Sequence, residues 1–200
     1  MSFKPKPPKS NRKQVPIGTH HAICYGIIDT GTQFSEKFDK ESQEIILNFE
    51  FPDHRDNFDD GDGNMVDKPL VLSRTYTLSF HEKSNLCKDL TAWLGRPPKA
   101  GDIQSRMGAN CFAVIEHTES GKSKIASIVS LHSSVTPKEP ENPKIMYEIE
   151  QGEPPETMYD WIKDRIKESK EFQAMSDNAQ ELPCDYNGSE PTPGDDVPWG

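Results

Sequence analysis

The residues with the chemistry of a catalytic or metal centre are few and poorly spaced for it. Asp60-Gly61-Asp62-Gly63-Asn64 resembles the opening of a calcium loop, but Met65 stands where the sharp turn needs glycine and Val71 where the closing glutamate belongs. His20, His21 and Cys24 have the donor types for zinc, with no second ligand pair at finger-like spacing. Asp29 and Glu50 are acids that a metal-dependent nuclease could use, without a recognisable pairing of acids and lysine around them. Glycine-rich phosphate loops, nucleophile elbows and HExxH helices are missing. The expectation is a protein that binds and does not catalyse, with no cofactor and no metal.

Binding chemistry is better represented. Sequence-tolerant grip on a single strand needs aromatic faces for bases and cations for phosphates. Phe34, Phe38, Phe49, Phe51, Tyr76, Phe80, Trp93 and Phe112 are the candidate rings. Phe49 and Phe51 alternate in phase with Ile45 and Leu47, and Phe80 with Leu78, so core is the better reading for these. Trp93 lies on the apolar stripe of a helix and is read the same way. Phe34 and Phe38 sit in a polar hairpin beside Lys37 and Lys40, where burial is not demanded. The rings carried forward as DNA contacts are Phe34, Phe38 and Tyr76.

Among cations, Arg74 interrupts the apolar face of a strand, which is costly unless it points into a groove or meets an anion. Lys37, Lys40, Lys83, Lys88, Arg96, Lys122 and Lys124 lie in or beside elements that would flank such a groove. For any one of them an idle solvated surface charge is the simpler reading.

The elements that must position these groups follow from periodicity. A first strand runs over His20–Asp29 to an Asp29-Thr30-Gly31 turn signal. A second spans Glu44–Phe51 and is ended by Pro52. Asp53–Asp67, rich in aspartate, reads as a loop. Leu70–Phe80 forms a third strand whose second face is small and polar: Ser73, Thr75, Thr77 and Ser79. Ser84 as N-cap, then Leu86, Leu90, Trp93 and Leu94, with Gly95 and Pro97 beyond, mark a helix of about ten residues. Strands at Cys111–His117 and Ile125–Leu131 flank a Glu119–Lys122 hairpin turn. Ile145, Tyr147 and Ile149 suggest a short extra strand. A single amphipathic helix opens at Pro155-Glu156-Thr157 and carries Met158, Trp161, Ile162, Ile166 and Phe172.

Three strands, a helix and two strands give a mainly β fold, expected as a five-stranded OB-type barrel with the helix between strands 3 and 4. An ordinary α+β sheet with one packed helix would give the same string. The expected divisions are a basic Pro/Lys-rich arm (1–18), the barrel (19–135), an extension with the short strand and C-terminal helix (136–173), and a disordered acidic tail (174–200).

Charge supports that division. The net charge is −10, but Met1–Lys13 holds five bases and no acid, while seven acids and no base follow Lys170. Without that acidic end the rest of the chain holds 23 bases and 26 acids and is close to neutral, which still permits a local basic groove. Four widely spaced cysteines without a CxxC pair, and no signal peptide, suggest free thiols in a reduced cytoplasm. No stretch approaches a membrane span. The chain closes on Asp195-Asp196-Val197-Pro198-Trp199-Gly200, and an exposed aromatic beside acids suits a peptide captured by a partner.

That ending resembles the acidic tip of bacterial and phage single-stranded DNA-binding proteins. The body resembles a phage-encoded group of them through Ile-Ile-Asp-x-Gly-Thr-Gln (Ile27–Gln33), Tyr-Thr-Leu-Ser (Tyr76–Ser79), Glu-Lys-Ser-x-Leu-x-x-Asp-Leu (Glu82–Leu90) and a Trp-Ile-x-x-x-Ile helix from Trp161. The tip departs from the family pattern, which closes on Phe after Pro. The resemblance implies an OB fold, sequence-independent binding of single-stranded DNA in phage replication or recombination, in the host cytoplasm, and recruitment of partner proteins by Asp195, Asp196, Val197, Pro198 and Trp199. It leaves the oligomeric state open, a homo-oligomer included. The rival is an OB-like phage adaptor or inhibitor that binds a host protein instead of DNA.

Overall fold

The computed structural model describes residues 13–36, 39–59 and 61–180. They form a mainly β fold: β1 (Gly18–Ser35), β2 (Lys40–Asp59), β3 (Met65–Thr77), α1 (Asn85–Leu94), β4 (Asn110–His117), β5 (Ser123–Ser130), β6 (Ile145–Tyr147), α2 (Asp160–Lys167) and α3 (Lys170–Gln180). The sheet runs β3-β2-β1-β4-β5 with antiparallel neighbours, and β6 adds to β1 in parallel. The helix between strands 3 and 4 is present; the closed barrel is not. β3 and β5 come within 8 Å at their Cα atoms, yet no ladder joins them.

β1 is buried over most of its length because each face packs on a different core. Ile27, Ile45, Leu47, Phe49 and Phe51 face one cluster, with Leu86, Leu90 and Trp93 of α1. Their neighbours Ile28 and Ile46 face a second, made with Tyr147, Ile149, Met158, Ile162, Ile166 and Phe172. Alternation with period two puts consecutive residues on opposite faces, so the C-terminal extension is the outer layer of the same sheet.

Four expectations need correction. First, Asp29-Thr30-Gly31 is a bulge and not a turn, and β1 continues to Ser35. Gly31 takes φ +67°, its amide donates to Asp29 Oδ1 at 2.9 Å, and the Thr30 hydroxyl donates to the Glu44 carbonyl. Second, the aspartate-rich 53–67 stretch extends β2 and β3 into a long hairpin. Arg55 binds Asp67 and Glu141 there, and Asp59 accepts from the Gly61 and Gly63 amides at the tip. Third, the single amphipathic helix is two. Ser169, fully buried, donates its hydroxyl to the Ile166 carbonyl and accepts the Phe172 amide, ending α2 and capping α3. Fourth, α3 runs on to Gln180, into the stretch expected to be disordered; residues 181–200, with the tip, lie outside the described residues.

At the other end, Val15 already belongs to the core. Its carbonyl accepts from Ser123 Oγ and contacts His117 Nε2. Cys24, Cys87 and Cys111 are buried free thiols, and burial pushes Cys24 up to about 12. Among the described residues no helix is long and apolar enough to cross a membrane.

Candidate nucleic-acid interface

Arg74 lies on the inward face of β3, opposite Leu47 of β2. It finds its anion inside the protein: Nη2 is 3.0 Å from Asp89 of α1, and the guanidinium lies 4.9 Å from the Tyr76 ring centroid. Tyr76 donates its hydroxyl to the same carboxylate at 2.8 Å, and the Ile128 amide of β5 points at its other oxygen at 3.4 Å. Burial pushes the Asp89 carboxyl up, against the pull of Tyr76 and Arg74. One aspartate thus bridges β3 and β5 where the ladder is missing. Arg74 is committed to that bridge, and Tyr76, 2% exposed, has no open face for a base.

The outward face of β3 is different. Val71, Ser73, Thr75 and Thr77 alternate with the buried residues, and Thr75 and Thr77 are exposed. Beyond Thr77 the chain leaves the strand, keeping one bond from the Leu78 amide to the Gln43 carbonyl. It then turns into α1, where Ser84 accepts the Cys87 amide as N-cap and donates to the Ser79 carbonyl. Strand end, turn and helix start enclose an open cleft of 680 Å³, lined by Thr75, Thr77, Ser79, His81, Lys83 and Asn85, with the edge of Tyr76. The one acid in its lining among the described residues, Glu44, is held by Arg165 of α2. The first turn of α1 carries no acid, so the helix dipole presents positive charge uncompensated. This is a polar, cation-leaning surface that could accept phosphates.

A second hollow adjoins it in sequence, lined by Phe80, Glu82, Cys87, Lys88, Thr91, Ala92 and Pro97. Phe80 is 41% exposed, contrary to the core role that alternation suggested, because β3 has ended before it. Phe49, Phe51 and Trp93 are core as expected, and Phe112 is half-buried. Phe34 is 58% exposed opposite Glu41, and Lys40 is exposed opposite Ser35, where the β1–β2 ladder ends. Lys37 and Phe38 lie outside the described residues.

The remaining cations divide by partner. Arg96 binds both oxygens of Asp102 at 2.8 Å, and Lys124 pairs with Glu116 at 3.0 Å. Lys122 is exposed at the β4–β5 turn. Lys40, Lys83, Lys88 and Lys122 make no ion pair among the described residues. The cleft therefore gathers Lys83 and Tyr76, the adjoining hollow holds Lys88, and Arg74, Arg96, Lys122 and Lys124 line neither. Sequence reasoning missed Thr75, Thr77, Ser79, His81 and Asn85 as site residues, although the small polar face of the third strand was their signal.

The acids with catalytic potential have structural work. Glu50 is fully buried and accepts the Glu141 and Asn142 amides and the Asn142 side chain. Asp29 accepts the Gly31 amide, and burial raises its carboxyl. Among the described residues no group of three or more His, Cys, Asp or Glu side chains is placed to hold a metal ion. No protein-family model matches the chain, and no curated protein matches it in sequence.

Proposed function

We propose that this chain binds single-stranded DNA without sequence preference. In this reading phosphates cross the cleft at the end of β3, against Lys83, His81 and the threonine and serine hydroxyls, while bases stack on Phe80 and Phe34. The observation that carries it is the nearness of unbridged lysines to an exposed ring: Lys88 lines one hollow with Phe80 and the acid Glu82, and Lys83 lines the cleft, whose acid Glu44 is held by Arg165. Such a surface suits an anionic ligand with flat apolar groups, and base stacking contributes about 1–3 kcal/mol per ring.

The finer fold reading fits the same proposal. The sheet is then an OB-type barrel whose β3–β5 seam is bridged by Asp89 instead of by a ladder. The biological setting is phage DNA replication or recombination in the host cytoplasm, with partner proteins recruited through the acidic tip. The charge-reversed pair Lys83→Glu/Lys88→Glu should weaken binding to a labelled thymidine oligomer by at least about tenfold, with unchanged circular dichroism. Equal affinity would remove the cleft from the account.

A second reading has one observation in its favour. Arg74, Arg96 and Lys124 are all tied to the protein's own acids, which leaves few cations for a polyanion. In an adaptor or inhibitor of a host protein, the exposed Tyr159, Trp161 and Met175 would be the contact surface. Failure of the wild-type chain to bind any single strand would favour it.

A further inference from the structure

On the outward face of β3, at the other end from the cleft, Val71 forms part of a second, smaller recess of 180 Å³. Its walls bring together three separate parts of the chain: Phe58 of β2, Lys68, Pro69 and Val71 of β3, and Asn142 with Tyr159 from the extension. Two aromatic side chains therefore line one slot. Tyr159 is 45% exposed and Phe58 half-buried, so ring surface remains open on both. The volume is below the roughly 300–1,000 Å³ of sites for drug-sized molecules, and suits one planar ring.

The polar lining is equally specific. Lys68 is exposed and makes no ion pair among the described residues. Asn142 donates both its backbone amide and its side-chain Nδ2 to the buried Glu50. That fixes the amide orientation and leaves Oδ1, a pure acceptor, without a hydrogen bond among the described residues. Each of the four bases carries an N–H donor that such an oxygen can accept from, so the contact would not select sequence.

Register connects this slot to the cleft. Val71, Ser73, Thr75 and Thr77 share one face, half-buried at Val71 and Ser73 and exposed at Thr75 and Thr77, so the slot and the cleft lie at the two ends of a single strip, ~20 Å apart at strand rise. That length falls inside the reach of one barrel site, which covers about 4–16 nucleotides.

We propose that the slot between Phe58 and Tyr159 is a nucleobase-binding subsite, with Lys68 on an adjoining phosphate, so that one strand follows the outward face of β3 from slot to cleft. This rests on the single-stranded DNA reading and assigns the extension a direct part in holding the ligand. Tyr159 is the residue to test, because its ring is exposed at the N-cap of α2 and belongs to neither apolar cluster, while its hydroxyl lies beside the buried Tyr25.

The experiment uses the full chain and an oligomer of about a dozen thymidines. Tyr159→Ala should lose about tenfold in affinity and Tyr159→Phe, which keeps the ring, should retain it, both with unchanged circular dichroism. Photocross-linking of the wild-type chain to an iododeoxyuridine-substituted oligomer should attach label to the peptide holding Phe58 or Tyr159, a result independent of any variant. If Tyr159→Ala binds as wild type while Lys83→Glu/Lys88→Glu does not, the slot is overturned and the DNA reading stands. If the wild-type chain binds no oligomer, both fall together.

Discussion

At Gly31 a side chain has no space and the backbone has no tolerance for one. A Cβ there would lie 2.6 Å from Ile149 Cδ1 and 2.7 Å from Glu171 Oε2, and φ is +67°. Glu171 is fastened to the same bulge, accepting the Thr32 amide at 2.7 Å and the Thr32 hydroxyl at 2.6 Å. Burial works against its charged form, but those two bonds outweigh it and hold the carboxyl below its ordinary value. Gly31→Ala should therefore cost roughly 2–4 kcal/mol in chemical denaturation, and loosen α3 first. A neutral result would mean that the bulge is not the anchor of the extension. Asp102 offers a pH test. Two hydrogen bonds from Arg96, with the Lys99 amide, hold it down to about 2 against an ordinary value of 3.8. A depressed carboxylate stabilises the fold above its unfolded value and loses that contribution as pH falls through the folded one. Asp102→Asn should melt below wild type at neutral pH, with the gap closing between about pH 4 and about pH 2. A gap that persists at about pH 2 would assign the effect to packing.

Among the elements, α1 was the most legible in sequence. Ser84 and Gly95 mark its ends as side-chain cap and left-handed C-cap, and Leu86, Leu90 and Trp93 are buried at the expected spacing. What sequence could not show was its task. Arg74 read as a groove residue because its counter-ion, Asp89, is fifteen positions away on another element, and pairing at that separation leaves no local pattern. The outer layer had a signal in Ile28 and Ile46, apolar residues on what should have been the solvated face, and the sheet uses both for the second core. The aspartate-rich hairpin was unreadable as strand because its backbone ladder and Arg55 carry it, against the composition. If Asp89 bridges the seam, Asp89→Ala leaves Arg74 buried without an anion and should cost about 3–5 kcal/mol. Replacing both, Arg74→Met with Asp89→Leu, should recover most of that loss. A double variant as unstable as the single one would show that the pair is not what joins β3 to β5.

For the whole molecule, the distribution of charge matters more than its sum. The chain carries −10, yet around the slot, the cleft and the hollow the groups without an ion pair among the described residues are three lysines, Lys68, Lys83 and Lys88, against one acid, Glu82. Few such cations predict modest electrostatic dependence, since each phosphate neutralised on a single strand contributes about −0.7 to the slope of log affinity against log salt. Three contacts give a slope of about −2. The direct measurement is a fluorescence titration of the full chain with a thymidine oligomer of about a dozen residues, repeated from dilute buffer to ~0.2 M salt. The account predicts binding that weakens steadily with salt at about that slope. No binding in dilute buffer, or an affinity indifferent to salt, would contradict it.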